Sequence, residues 1–273
     1  MALILGIYEE LIGSLRSLNL NLLKLVAALK FRRALSSVSW DFLVAVGFGV
    51  LVATFSLAKA LSWLLSAYPV MVWSFFFGLI LSSVVVVGRV IGEWKGPTVF
   101  AVGLGTVAAY FLFGLLPADT PDASWFLFLS GFVAICAMIL PGISGAYILV
   151  LLGKYQYALE AVNNKDVGAL LILAAGALVG LLSFVRVLGW LLKKYHDPTM
   201  ALLVGLMLGS LRKIWPWKET LTTFLDRHGK VGPGLQVNIL PPDLDIEVML
   251  AFVFALLGFA VVICLHYWEL KRN

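Results

Sequence analysis

The sequence predicts an all-α polytopic membrane protein made of two inverted-topology repeats, each a re-entrant hairpin followed by three transmembrane helices, with the first hairpin incomplete. Three observations carry this. Residues AVILMFWYC make up 62% of the 273 and charged residues only 13%, against roughly 45–50% and 25% in soluble domains. Mean hydropathy is +1.00, and the apolar residues fall in long runs separated by short polar turns. The chain also resembles itself at fixed offsets. No hydrophilic stretch is large enough for a second fold, so residues 1–273 form a single transmembrane domain, with repeat one at 1–122 and repeat two at 123–273.

Met1 leads directly into Ala2-Leu3-Ile4-Leu5-Gly6-Ile7-Tyr8, with neither a charged leader nor a small-residue cleavage site; the chain begins inside a structural element rather than with a signal peptide. Between Arg16 and Val38, Leu18, Leu22, Leu25, Val26 and Leu29 recur at helical spacing among Lys24, Lys30, Arg32 and Arg33. This pattern predicts a helix lying on the membrane surface, an insertion of about 16–38 in the first repeat. Membrane-crossing helices are expected at Phe42 to Leu65, Val70 to Ile91, Val99 to Leu116, Leu170 to Leu192, Met200 to Ile214 and Val248 to Tyr267. Trp125 to Leu140 and Ile148 to Val162 are each short for a full crossing and flank Pro141, so they read as the arms of a re-entrant hairpin. Pro and Gly residues give the Leu211 to Glu247 loop an irregular expectation.

Shifting the chain by 147 places Leu5-Gly6-Ile7-Tyr8-Glu9 on Leu152-Gly153-Lys154-Tyr155-Gln156. A shift of 127 places Lys59 on Arg186, Trp63-Leu64-Leu65 on Trp190-Leu191-Leu192, and Gly78 to Ser83 on Gly205 to Ser210. The difference between the shifts matches the length of the surface helix. An odd number of crossings per repeat inverts the second copy, the arrangement in which binding sites form near the midplane between repeats. On this topology one side carries 11 Lys and Arg, from Arg16 to Arg33 with Arg89, Lys95, Lys193, Lys194, Lys271 and Arg272, and the other 7. The positive-inside rule then makes the first side and the C-terminus cytoplasmic, in a cell inner membrane. The net charge of +5 follows from such loops and does not call for a nucleic-acid partner.

Leu140-Pro141-Gly142-Ile143-Ser144-Gly145 interrupts the apolar pattern. A break at membrane depth exposes backbone N–H groups that a cavity, a protein partner or a ligand must satisfy; a short turn between packed helices is the plainer alternative. Lys59 and Arg186 are basic residues inside spans, at matched positions, and such residues generally face a cavity or a partner; snorkelling to the headgroups is the alternative. Two cations and the helix start at Gly142, Ser144 and Gly145 together suit a phosphate, which accepts several N–H bonds and is neutralised by Lys or Arg. Arg89 and Arg212 stand at helix ends, as attractors at the entrances or as interfacial anchors. Glu9 is the candidate for proton coupling, with surface solvation or capping as the alternative. His196, His228 and His266 are scattered, and Cys136 and Cys264 lie inside apolar runs without a CxxC, so neither a metal site nor a cofactor is expected.

Pro141-Gly-Ile-Ser-Gly145, Leu152-Gly153-x-Tyr155 and Gly205-Leu-Met-Leu-Gly-Ser210 running into Ile214-Trp-Pro-Trp217 together resemble the polyprenyl-phosphate transporter family, over nearly the whole chain. The resemblance implies translocation of undecaprenyl phosphate, the lipid carrier of cell-envelope polymer assembly, across the cytoplasmic membrane. It also implies a Pro-Gly-x-Ser-Gly motif just before the segment matching Met1 to Tyr8. That motif is absent here, and a start codon upstream is expected. Ala146 departs from the Ser more usual at its position. A transporter of a small soluble anion and a lipid-phosphate-processing membrane enzyme are the alternatives; the second needs a positioned nucleophile or metal that the scattered histidines do not provide.

Overall fold

The computed structural model describes residues 12–14, 40–221, 223–225, 231–233, 236–241 and 243–272. The expected surface helix at Arg16 to Val38 and Glu9 lie outside these residues. Helices α1 (Trp40–Ala67), α2 (Pro69–Gly88) and α3 (Gly96–Leu112) are followed by α4 (Ser124–Ile139), α5 (Gly145–Leu151), α6 (Tyr155–Asn163), α7 (Val167–Lys194), α8 (His196–Ser210) and α9 (Ile246–Arg272). Among the described residues α2, α7 and Ile246–Trp268 of α9 are long and apolar enough to cross a membrane, and α3 and α4 are shorter apolar helices.

Helix α8 sits at the centre. Met200, Ala201, Leu203, Val204, Leu206 and Met207 are buried around its circumference, as expected of a helix with no polar face. All of these but Met207 join Val86 and Val87 of α2, Ala109 of α3, Val185, Leu188 and Leu192 of α7 and Val262 of α9 in one core cluster. Two helix pairs pack backbone against backbone through glycine. A methyl group at Gly205 would collide with the Val102 carbonyl, and one at Gly105 with that of Leu202, closing α8 onto α3; Gly78 meets the Ala255 carbonyl and Gly258 that of Phe75, closing α2 onto α9. Small residues permit this approach, which supplies packing where lipid removes the usual hydrophobic drive. Gly78 and Phe75 are offset by 127 from Gly205 and Leu202, and Val102 and Gly105 by 153 from Ala255 and Gly258. Helices α1 and α7 share the first offset and a length of 28 residues each.

Helices α4 and α7 also meet through glycines, with Gly176 against the Phe128 carbonyl and Gly180 against that of Phe132. The rising numbers on both sides make the two helices parallel. The chain then turns back at Pro141–Ser144, and a methyl at Gly145 would lie 2.8 Å from the Ala134 carbonyl, so α5 folds onto α4. The segment expected as one arm, Ile148 to Val162, is broken at Leu152–Lys154 into α5 and α6. Gly153 there has φ +64, beside the Ala118 carbonyl. The α3–α4 loop is stapled to this second break: the Ala118 amide donates to the Leu151 carbonyl (2.9 Å) and the Thr120 hydroxyl to that of Leu152 (2.6 Å). Lys154, its side chain 2% exposed, donates to Asp122 (2.6 Å) and to the Thr120 carbonyl (3.1 Å). Phe126 and Tyr157 rings flank its ammonium.

The 211–247 loop is more regular than expected, and the chain is not wholly α. Lys218–Thr220 (β1) pairs antiparallel with Gln236–Asn238 (β4), and Thr223–Leu225 (β2) with Val231–Pro233 (β3), one ribbon nested in the other. Thr, Phe and Val at these positions favour extended pairing, and Gly232 and Pro233, which read as irregular, lie within β3. The Trp215 indole donates to the Ile239 carbonyl at 2.7 Å and the Asn238 amide to that of Arg212 at 2.9 Å, tying the base of the ribbon to the end of α8.

Gly205→Ala and Gly78→Ala should each cost about 1–3 kcal/mol, because the carbonyl they meet belongs to a backbone that must shift. Gly49→Ala, at a position with nothing within 4 Å of an added Cβ among the described residues, should be neutral or stabilising. Thermal unfolding in detergent reads all three. Asp122→Asn should destabilise by about 3–5 kcal/mol, since it strands a buried ammonium. Lys154→Met should cost less, because the Asp122 side chain left behind is 50% exposed and water can solvate it; equal losses in the two variants would contradict this asymmetry.

Candidate functional site

The interruption at Pro141–Gly145 packs against α8. Gly142 has φ +89, a left-handed conformation that a side chain resists, and an added Cβ would stand 3.0 Å from the Ser210 hydroxyl and 3.1 Å from the Met207 Cα. The turn is thus seated on the last turn of α8. Ser144 takes the position before α5, is exposed, and makes no side-chain cap hydrogen bond. Its carbonyl accepts from the Ile148 amide at 3.2 Å. A helix start leaves its first amides without a carbonyl four residues back. Helix α5 is only 7 residues long, so those N–H groups, rather than a long helix dipole, are what the break offers a ligand.

Arg186 lies on α7 and is exposed, one residue after fully buried Val185. The α4–α7 register of Phe128 beside Gly176 and Phe132 beside Gly180, continued at an equal rise, brings the end of α4 to the level of Arg186. The break and Arg186 therefore share a depth in the bundle. Lys59 belongs to α1, with its side chain outside the described residues. Arg89 is the exposed C-cap of α2. Arg212 is engaged structurally: its Nη1 donates to the Tyr110 carbonyl at 2.8 Å, and the guanidinium lies 4.2 Å over the Tyr110 ring, clamping the end of α3 to the turn after α8. Among the described residues no group of three or more His, Cys, Asp or Glu could hold a metal ion.

Beside the break stand two cations that sequence reasoning counted only as loop charges. Lys213 Nζ lies 4.9 Å from the ring centre of Tyr147, and Lys218 Nζ lies 4.9 Å from that of Trp73 while donating to the Lys213 carbonyl. Both are half-buried. Burial, with the like charge of Lys213 adding to it, pushes the Lys218 ammonium down to about 8. Their signal in the sequence was position: they flank Ile214-Trp215-Pro216-Trp217, so the aromatic belt and the charges occupy one turn. Lys154 and Asp122 were missed because 32 residues separate them.

Two hollows lie elsewhere. A wholly apolar groove of about 580 Å³ is lined by Leu61, Leu64, Tyr68, Met71, Phe75 and Leu250, among others. A charged one of about 410 Å³ is lined by Glu93, Lys95, Pro97, Lys194, Tyr195, His196, Asp197 and Pro198, among others. There Asp197 accepts from the amides of Gly92 (3.3 Å) and Glu93 (2.9 Å), fastening the α2–α3 loop to the start of α8.

A lysine with a folded value near 8 and an unfolded value of 10.5 binds fewer protons when folded between those limits, so its penalty on the fold is full below pH 8 and fades as pH rises toward 10.5. Lys218→Met should therefore unfold at a higher temperature than the wild type at pH 7, and the gap should close toward pH 10. A constant gap across that range would contradict the assigned burial of the charge.

The family model described as VCA0040-like: Undecaprenyl phosphate translocase-like matches residues 1–232. A polyprenyl-phosphate transporter of Vibrio cholerae serotype O1 is 40% identical over 277 residues, covering 99% of this chain and 90% of the relative. A polyprenyl-phosphate transporter of Staphylococcus aureus is 26% identical over 200 residues, 67% of this chain and 71% of that protein. No solved structure matches. With most of its length under one family model, and near-complete coverage of a relative well above the identity at which family is in question, this chain belongs to the undecaprenyl phosphate translocase-like family.

Proposed function

We propose that this protein translocates a polyprenyl phosphate, undecaprenyl phosphate in the first place, across the cytoplasmic membrane for lipid-carrier recycling. The observation that carries the reading is the Pro141–Gly145 break, seated on α8 at the depth of Arg186, in a chain whose relatives are named as transporters of this lipid class. The phosphate is held by the amides after Gly142, by Gly145 and the unspent Ser144 hydroxyl, and by Arg186 with Lys59, while the prenyl tail stays in lipid. The names of the relatives imply transport, with the substrate leaving unchanged.

The break is a re-entrant hairpin in this reading, α4 entering and α5 returning. The chain is two inverted-topology repeats, residues 1–122 and 123–273, with the C-terminus cytoplasmic. What supports the repeats is the recurrence of the glycine seats: α2 meets α9 through the same positions, at constant offsets, through which α8 meets α3. Equal lengths of α1 and α7 at the 127 offset add to this. Two such halves rocking about a shared midplane site would expose it alternately to either leaflet. Glu9 is the proposed coupling residue, and Arg89 guards an entrance.

Reconstituted into liposomes, the chain should move a polyprenyl phosphate between leaflets. Ser144→Ala and Arg186→Ala should each reduce the rate by about tenfold or more with unfolding temperature unchanged, since each removes a charge-assisted hydrogen bond. Full rates in both variants would remove the site. A wild type that moves free phosphate but no lipid would replace the lipid reading with transport of a small soluble anion.

A further inference from the structure

Lys213 and Lys218 stand where neither charge is compensated. Among the described residues neither is within ion-pair distance of a carboxylate. Glu219, the next residue on β1, projects to the opposite face of the strand and is exposed. Lys218 spends one N–H on the Lys213 carbonyl, whereas the Lys213 ammonium has its three donors unspent among the described residues. Holding two like charges together, half out of water, is unfavourable unless something of opposite sign offsets them. The aromatic faces of Tyr147 and Trp73 fix the two stems and give part of that compensation. They leave the N–H donors free for an acceptor.

The place is as informative as the charges. Tyr147, under Lys213, follows Ser144 by three residues on the short helix α5. Lys213 follows Ser210 by the same interval, and Ser210 is the residue on which Gly142 rests. The two ammonium groups therefore flank the break at the end of the bundle where α3 and α8 finish. Arg212 is not part of this pair, because the Tyr110 carbonyl and ring already hold it.

We propose that Lys213 and Lys218 form an anion-docking site that takes a dianionic phosphate, either a phosphomonoester headgroup or free inorganic phosphate, beside the Pro141–Gly145 break. Two adjacent ammonium groups favour a phosphate with two charges over a singly charged diester. The docking itself stands on the two lysines; only its role as the step before Ser144 rests on the translocation reading.

The experiment compares the full chain in detergent with Lys213→Met, Lys218→Met and the double variant, with inorganic phosphate and a short-chain prenyl monophosphate as separate probes. Binding is read by tryptophan fluorescence, which Trp73 and Trp215 report, and by the rise in unfolding temperature on adding each probe. Each single variant should weaken binding about tenfold or more, and in the double variant neither probe should raise the unfolding temperature. Loss of both probes' binding assigns a site for phosphate as such; loss of prenyl monophosphate binding alone, with inorganic phosphate bound by neither protein, assigns it to the lipid headgroup. A double variant that binds both probes like the wild type overturns the proposal. Ser144→Ala separates the two readings: it should keep docking while losing translocation. If it translocates normally and docking still needs the lysines, the translocation site fails and the docking site stands.

Discussion

A break between two apolar helices must have its polar backbone satisfied, and the elements around Pro141–Gly145 are arranged to do this. Pro141 removes one donor, Gly142 turns the chain at a positive φ, and the Ser144 hydroxyl makes no cap hydrogen bond to α5. The turn can exist only because α8 offers it a seat at Met207 and Ser210. Helix α8 in turn is held by α3 at glycine distance, with Arg212 locking their ends together. On the far side of α5, the second break is satisfied by the loop before α4, whose Ala118 and Thr120 donate to the carbonyls of Leu151 and Leu152. Lys154 seals that junction with Asp122. The same chain segment that interrupts the membrane pattern is thus supported from both ends by groups that would otherwise be costly there.

The helical frame was legible because membrane spans are written in single, long apolar runs. The expected Leu170 to Leu192 and Val248 to Tyr267 fall within α7 and α9, and the expected Met200 to Ile214 overlaps α8 but starts late, since His196 and Asp197 hide the first turn. Pro141 marked the end of α4, while the sequence left open whether the interruption was a re-entrant break or a short turn between packed helices. What sequence could not convey was which polar residues would be spent on structure. Arg212 looks like an entrance cation and is a clamp; Lys154 looks like a loop charge and is a buried staple. Both outcomes depend on partners about 100 and 32 residues away. The ribbon at 218–238 was hidden for another reason: strands of three residues carry too few alternations to stand out among Gly and Pro.

Charge is distributed sparingly and with distinct uses. Cations are committed to carbonyls at Arg212, to a carboxylate at Lys154 and to aromatic faces at Lys213 and Lys218. The last two have no carboxylate partner among the described residues, and Lys213 packs on Tyr147 of α5, next to the break. Burying an uncompensated cation costs stability, and burial together with the like charge of Lys213 holds the Lys218 ammonium below its ordinary value. Retention of both lysines beside the start of α5, where Ser144 makes no side-chain cap hydrogen bond, concentrates positive charge there.

The two hollows are lined by residues at shared offsets but differ in chemistry. Tyr68 and Met71 line the apolar groove, and Tyr195 and Pro198, at the 127 offset, line the charged one; Leu250 and Pro97 are related by the 153 offset. The backbone seat is built twice, but one copy is furnished for hydrocarbon and the other for water. Positions related by these offsets therefore do not give equivalent surfaces. A molecule approaching one copy meets a greasy wall, and one approaching the other meets fixed ions. In the proposed two-repeat arrangement, a motion that treated the halves alike would still present different linings, so a direction of preference can reside in the lining while the frame stays symmetric.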